Sequence, residues 1–384
     1  MRRALQTDRW LFLSTLALCL TGAVMVFSAS AVTARETYGS AYTFALRQVL
    51  WLVLGVAGMF WLMNVDYRRL RQASVIFTGL AVVLLLLVVV LFLDKSHATH
   101  RWIRFGGAFS LQPSELAKLV VILYLAWFLE MRRRVPGKDR DARAQASVNH
   151  FRLTLLPALG PVLLFVGLVV LEPDFGTAAA ILLIALGVLY VAGLYSRYLL
   201  YAAFVALPVL YVLVVRVPYR WDRIIGFLDP GADPQGRGFQ LLQSLIAVGS
   251  GGFTGVGLME SKQKLFYLPE AHTDFIYAVL CEELGFLGGL AVLVLFGIYA
   301  WRGMRAAWSA PDDFGQLAAA GITLMVISQA LVNLCVVLGI MPTKGIPLPF
   351  VSYGGSSLLV MLLATGVLLN ISRYAETRLD RSLP

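Results

Sequence analysis

Residues 11–31 read Leu-Phe-Leu-Ser-Thr-Leu-Ala-Leu-Cys-Leu-Thr-Gly-Ala-Val-Met-Val-Phe-Ser-Ala-Ser-Ala, without one charged side chain. Crossing a hydrocarbon core about 30 Å thick takes about 20 helical residues, so this run is long enough to span a membrane. Ser74–Leu93 and Thr177–Leu194 repeat the pattern. Backbone amides in lipid find no water, so each run is expected to be a helix that satisfies its own hydrogen bonds. A membrane barrel would need short alternating strands, and none are visible.

Composition agrees with that expectation. The chain has 384 residues, 59% hydrophobic and 14% charged, where a soluble domain carries about 25% charged residues. Window reasoning gives about ten spans, with cores near 11–31, 46–63, 74–93, 113–130, 153–171, 175–193, 199–217, 275–300, 315–340 and 353–372. The predicted class is an all-α polytopic bundle in a single unit, residues 1–384. A large outer loop, about 218–274, separates the seventh and eighth spans. Within that loop, Phe239–Val248 is apolar enough for a short interfacial helix but too short to span. Arg2, Arg3 and Arg9 before the first run resemble a signal sequence, but the run is long and leads into further spans, so it is read as an uncleaved first helix.

The net charge of +10 does not point to nucleic acid. Basic residues fall in short clusters between apolar runs, with no basic face interleaved with stacking aromatics. With both termini cytoplasmic, the inside segments hold Arg2, Arg3, Arg9, Arg68, Arg69, Arg71, Arg132, Arg133, Arg134, Lys138, Arg140, Arg143, Arg152, Arg197, Arg302, Arg305, Arg373, Arg378 and Arg381. That is about 19 cations inside against about 12 outside, the expected bias. Cys19, Cys281 and Cys335 lie in or beside apolar segments and read as small packed side chains. Four histidines are too dispersed for a metal cluster. Asp139-Arg-Asp141 is an acidic pair in a basic run with no nucleotide-binding pattern around it, and reads as a solvated loop.

Polar groups at membrane depth carry the chemistry, because each is costly if unpaired. Gln112-Pro-Ser-Glu-Leu-Ala-Lys118 opens the fourth span. Glu115 and Lys118 share a helix face there, as a structural ion pair or as the wall of a polar cavity. Before it, His100-Arg-Trp-Ile-Arg-Phe-Gly106 sets Arg101 and Arg104 around Trp102, either as an interfacial anchor or to capture an anionic headgroup. Glu172 and Asp174 occupy another outer turn, where exposed carboxylates are the plain reading. Glu270, His272, Thr273 and Asp274 crowd the junction of the long loop with the eighth span. Asp274 fits a helix cap there, or a general base for a hydroxyl arriving along the membrane surface. Pro342–Ser357 is an irregular Pro- and Gly-rich turn, in which Lys344, Ser352, Ser356 and Ser357 could meet phosphate oxygens. Gln329 and Asn333, four apart, read as helix–helix glue.

Together these motifs resemble the FtsW/RodA/SpoVE (SEDS) family, and the match covers nearly the whole chain. It rests on Met25-Val-Phe-Ser-Ala-Ser30, Arg101-Trp-Ile, Gln112–Lys118, Glu172-Pro-Asp-Phe-Gly-Thr177, Leu268–Ile276 and Pro347–Ser357. The Ser-Ala-Ser triplet, Gln263-Lys-Leu and Pro342-Thr-Lys-Gly resemble the FtsW branch. The resemblance implies a bacterial inner-membrane peptidoglycan glycosyltransferase that joins lipid II at the outer face through β-1,4 links. It also implies a class B penicillin-binding protein transpeptidase and other division proteins as partners. The family's essential aspartate matches Asp274. Arg101, Trp102, Arg104, Glu115, Lys118, Glu270, His272, Thr273, Lys344, Ser352 and Ser356 are then candidate substrate contacts. A divalent cation, Mg or Mn, with Asp274 as ligand is an alternative to Asp274 as base. Lipid II translocation, or non-catalytic scaffolding of a partner enzyme, are the competing functions.

Overall fold

The structure is a computed structural model that describes residues 7–93, 101–105, 109–133 and 147–379. His100, Gly106, Arg2, Arg3, Arg381 and the run holding Arg134, Lys138, Asp139, Arg140, Asp141 and Arg143 lie outside them.

Among the described residues twelve α-helices follow in order: α1 (Arg9–Tyr38), α2 (Thr43–Asn64), α3 (Ala73–Leu93), α4 (Pro113–Arg133), α5 (Leu156–Leu171), α6 (Phe175–Val191), α7 (Ser196–Val215), α8 (Pro218–Leu228), α9 (Phe239–Ser250), α10 (Ile276–Trp308), α11 (Asp313–Val337) and α12 (Gly355–Leu379). All ten expected spans coincide with helices. Seven satisfy length and hydropathy for crossing a membrane by themselves. α4, α6 and α7 complete the ten: α4 carries Glu115, Lys118 and Glu130, and α6 is a short 17 residues.

Caps sharpen several ends. Asp8 accepts the Leu11 N–H at 3.1 Å, Asp174 accepts Thr177 N–H at 3.1 Å, and Asp312 accepts Gly315 N–H at 2.7 Å, each using a helix's otherwise orphaned donors. Gly39 ends α1 at φ 72°, a left-handed position that favours glycine.

Two elements depart from the sequence reading. A small hairpin, β1 (Ile103–Phe105) against β2 (Phe109–Leu111), pairs Arg104 with Ser110; three residues per strand are too few for a visible alternation. The long loop holds two helices instead of one. α9 matches the expected interfacial helix, whereas α8 was read as loop. Its Pro218 at the first turn is a start signal of the kind helices favour.

α11 and α12 form the enclosed centre, 67% and 83% buried over their apolar windows. α12 packs along α2, α11 against α10, α4 and α6, and α1 against α10. Around them, Leu13, Leu20, Phe77, Leu85, Phe92, Leu163 and Leu164 face outward as apolar surface, which suits lipid. α7 stands at the edge, with no fully buried side chain among those described.

One end of the bundle is tied by ion pairs: Arg302 to Asp8, Arg71 to Glu130 and Arg133 to Asp313. The loops after β2, α5, the long loop and α11 gather at the opposite helix ends.

Gly22 lets α1 lie on the backbone of Phe350 and Val351, where an added Cβ would stand 2.7 Å from Val351 Cα. Gly22→Ala is expected to destabilise the bundle by about 1–3 kcal/mol. Gly160, with nothing within 4 Å of its virtual Cβ, is the control. Thermal unfolding in detergent checks both: Gly22→Ala lowers the Tm and Gly160→Ala does not.

Candidate active site

A cavity of about 220 Å³ opens among α4, the α5–α6 turn, the end of the long loop and the irregular segment before α12. Arg101, Trp102, Gln112, Glu115, Lys118, Asp174, Thr177, Glu270, Thr273, Asp274, Gln329, Gly345, Tyr353 and Ser357 contribute to its wall. The fold thus brings together motifs more than two hundred residues apart.

Its floor is a buried ion pair. Lys118 Nζ donates to Glu115 Oε1 at 2.8 Å and to Gln329 Oε1 at 2.8 Å. Lys118 and Glu115 are 2% and 4% exposed. Both expectations for this pair therefore hold: the charges neutralise each other and also face the cavity. Glu115 Oε2 has no hydrogen-bond partner among the described residues.

One wall is the α5–α6 turn. Arg101 donates to the carbonyls of Glu172 and Pro173. Asp174 caps α6 and accepts Gln112 Nε2 at 2.9 Å and Thr177 Oγ1 at 2.8 Å. The plain expectation that Glu172 and Asp174 are exposed fails: they are 0% and 6% exposed, because Arg101 folds the hairpin down over the turn. Burial, reinforced by Asp174 and opposed by Arg101, pushes the Glu172 carboxyl up to about 8, so it is neutral at pH 7.

The opposite wall carries Asp274. The cap expectation for this residue fails, since Phe275 precedes α10 and no side chain caps that helix. Asn333 Nδ2 donates to the Asp274 carbonyl at 2.7 Å and to the Ile346 carbonyl at 2.8 Å, and Gln329 Nε2 to the Pro347 carbonyl at 3.0 Å. Ser352 Oγ donates to the Thr273 carbonyl and accepts Leu348 N–H at 2.8 Å. These bonds fix the backbone and leave the Asp274 carboxylate without a hydrogen bond among the described residues. Gly345 lies beside it, where a Cβ would stand 2.9 Å from Oδ2. Burial, with Glu270 adding to it and Arg223 opposing, raises the Asp274 carboxyl to about 7. An acid held near the working pH is suited to take and release a proton.

Of the predicted contacts, Arg101, Trp102, Glu115, Lys118, Glu270 and Thr273 line the cavity with Asp274. The remaining five lie outside its wall. Arg104 is exposed on β1. His272 is wedged 4.8 Å from Phe44 and 5.7 Å from Tyr353, and burial, opposed by Glu270, lowers its pKa. Lys344 is half-buried in the irregular segment, its pKa lowered by burial and supported by Asp174. Ser352 is spent on the backbone bonds above. Ser356 is 0% exposed. Sequence reasoning missed Gln112, Thr177, Tyr353, Gly345 and Arg223. All but Arg223 sit inside motifs already singled out. Arg223 lies on the unforeseen α8 and donates to the Thr343 carbonyl at 3.3 Å. Gln329, expected to glue helices, does join α11 to α4 through Lys118 and also holds the Pro347 carbonyl, whereas Asn333 holds loops instead.

A polytopic helical bundle with a charged cavity between the loops at one end defines the class: a multi-pass membrane enzyme. The chain belongs to the FtsW/RodA/SpoVE family of cell cycle proteins, whose model matches residues 9–377. It is 43% identical over 370 residues to stage V sporulation protein E of Bacillus subtilis, covering 96% of this chain and 98% of that one. It is 42% identical over 366 residues to the probable peptidoglycan glycosyltransferase FtsW of Geobacter metallireducens, covering 95% and 94%. Its fold is similar to a chain of a peptidoglycan synthase complex that coordinates polymerization and crosslinking (TM-score 0.75, 33% identity, 99% and 100% covered). It is also similar to the crystal structure of the rod shape determining protein RodA of Thermus thermophilus (TM-score 0.66, 30% identity, 96% and 97% covered).

Lys118→Met leaves Glu115 as a buried charge without its cation, an expected loss of about 3–5 kcal/mol. The double variant Glu115→Gln/Lys118→Met is expected to recover most of that loss. Thermal unfolding in detergent reads the difference, and a single variant that melts with the unchanged chain contradicts it.

Proposed function

We propose that this chain is a peptidoglycan glycosyltransferase that polymerises lipid II, a disaccharide-pentapeptide on undecaprenyl diphosphate, into β-1,4 glycan strands. The observation that carries the reading is the Asp274 carboxylate: rigidly mounted, facing the cavity, free of hydrogen bonds among the described residues and raised to about 7. Relatives named as peptidoglycan glycosyltransferases support it.

The donor sugar is α-linked to diphosphate and the product is β-linked, so a single inverting displacement suffices. Asp274 takes the proton of the acceptor hydroxyl. The hydroxyl oxygen bonds to the donor C1 as the C1–O bond to diphosphate breaks, and diphosphate leaves with that electron pair. No general acid is required, because the leaving group departs as an anion. Arg101 and Lys118 on the wall, with Arg223 and Lys344 nearby, supply positive charge where negative charge develops. Trp102, Glu270 and Thr273 face the same space and are assigned to sugar contacts. Arg104 is assigned to headgroup capture at the exposed hairpin. His272, Ser352 and Ser356 act through the backbone and packing of the Asp274 loop.

A divalent cation, Mg or Mn, has no ready-made site here: among the described residues no three His, Cys, Asp or Glu side chains form a group able to hold one. Were such an ion to arrive with the diphosphate, Asp274 would be its protein ligand in place of the base role, and it would supply charge stabilisation to the leaving group.

The orientation follows from the two ends of the bundle. The ion-paired end holds Arg71, Arg133 and Arg302, which supports placing it and both termini in the cytoplasm. The cavity then opens on the outer face of the bacterial inner membrane. A class B penicillin-binding protein is the proposed partner, supported by the fold's likeness to a chain of a peptidoglycan synthase complex. The higher identity to proteins named FtsW and stage V sporulation protein E than to RodA supports a septal role.

The test is purified protein, with its partner, given lipid II and followed for glycan strands on gels. Asp274→Ala is expected to lose at least about 100-fold in rate, the contribution of a general base. Gly345→Ala, which pushes on Oδ2, is expected to lose about ten-fold without unfolding, since small misplacements of a catalytic group are costly. Normal strand synthesis by Asp274→Ala would remove the base assignment.

A further inference from the structure

A second buried charge cluster lies outside the cavity, where α10 breaks. Gly285 sits at φ 67°, ψ −166°, interrupting the helix. A broken helix exposes backbone groups that lipid cannot satisfy. The long loop satisfies them here. Val256 and Gly257 N–H donate to the Glu282 and Glu283 carbonyls at 3.0 and 3.1 Å, and Phe286 and Leu287 N–H donate to the Gly252 and Phe253 carbonyls at 3.0 and 3.2 Å. The approach is backbone on backbone: a Cβ at Gly251, Gly255 or Gly285 would overlap main-chain atoms of the other segment.

Side chains then close the joint. Glu282 accepts from Ser261 Oγ and from Lys262 N–H at 3.0 Å. Glu283 accepts Ser28 Oγ of α1 at 2.6 Å and Lys264 Nζ at 2.9 Å. Lys264 Nζ also reaches the Met259 carbonyl at 2.6 Å and Ser28 Oγ at 3.2 Å. Glu282, Glu283 and Lys264 are 3%, 1% and 6% exposed. Among the described residues Lys264 is thus the one ammonium paired with buried Glu283, while Glu282 beside it is held by a hydroxyl and backbone N–H donors, so the joint depends on Lys264. Asp274 lies on the chain between Lys264 and Glu282, in a segment this clasp closes into a ring.

We propose that Lys264 and Glu283 are positioning residues for Asp274: their clasp, anchored to α1 through Ser28, holds the catalytic loop in its working place. The proposal rests on the polymerase reading. It follows that opening the clasp should reduce turnover more than substrate binding, because the cavity's wall on α4 and the α5–α6 turn is untouched.

Lys264→Met, Glu283→Gln and the double variant Lys264→Met/Glu283→Gln test this, each purified with the partner. Strand synthesis from lipid II gives kcat and KM, and limited proteolysis reports release of residues 251–267. Lys264→Met is expected to lower kcat at least ten-fold with KM within about two-fold, and to make the loop cleavable. The double variant removes the charge imbalance, so it is expected to regain the parent melting temperature while kcat stays at least five-fold low. A double variant that melts and polymerises like the parent would overturn the proposal. So would a protected loop in Lys264→Met. Proteolysis reads the clasp without any turnover, so a parent chain that makes no glycan would count against the polymerase reading alone.

Discussion

Lipid offers backbone amides nothing to bond to, and everything distinctive about this protein depends on how it meets that constraint where its helices stop. Most of the chain meets it by being helical. Besides the break at Gly285, it is not helical in two segments around the cavity: 270–275 before α10 and 342–354 before α12. Both are held by side chains of a single helix. Asn333 and Gln329, one turn apart on α11, supply the amides that bond Asp274, Ile346 and Pro347 carbonyls. The same Gln329 receives Lys118 from α4. The enclosed central helix therefore mounts the loops and the ion pair together, and the cavity between them inherits its rigidity.

That mounting explains how one aspartate comes to be chemically unusual. Its carbonyl is held by Asn333, its neighbours are a glycine and a second carboxylate, and its own carboxylate oxygens are left for a visitor. Burial raises it; Glu270 raises it further; Arg223 restrains it. Near Lys118, the opposite design holds, with each charge answered directly. The two treatments of buried charge, one paired and one poised, separate the groups that build the site from the group that can act in it.

Much of the architecture was legible in hydropathy alone. All ten spans, the position of the long loop and the helix at Phe239 follow from run length, because lipid leaves a helix no alternative. The β-hairpin and α8 were not legible, since both are short and owe their form to contacts with distant segments. At the site, the residues lining the cavity came mostly from dense motifs of polar residues beside apolar runs. What those motifs hid was division of labour. Ser352 and Asn333 look like potential ligands or glue, yet they hold carbonyls of the catalytic loop. Asp174 and Glu172 look like surface carboxylates, yet Arg101 of the hairpin buries them. Gly345 carries no signal by itself; its role exists only because Asp274 stands against it in space. Lys264 and Glu283 are nineteen residues apart, a spacing that means nothing until the helix is seen to break at Gly285, just past Glu283.

The central claim is that Asp274 works as a base whose proton affinity the fold has raised. The pH dependence of kcat/KM for strand synthesis tests it most directly. A base raised to about 7 is charged above that pH and protonated below it, so the rate should fall about ten-fold per pH unit below pH 7. An ordinary aspartate would stay ionised down to about pH 4. A rate that holds level from pH 8 down to pH 5 would contradict the account.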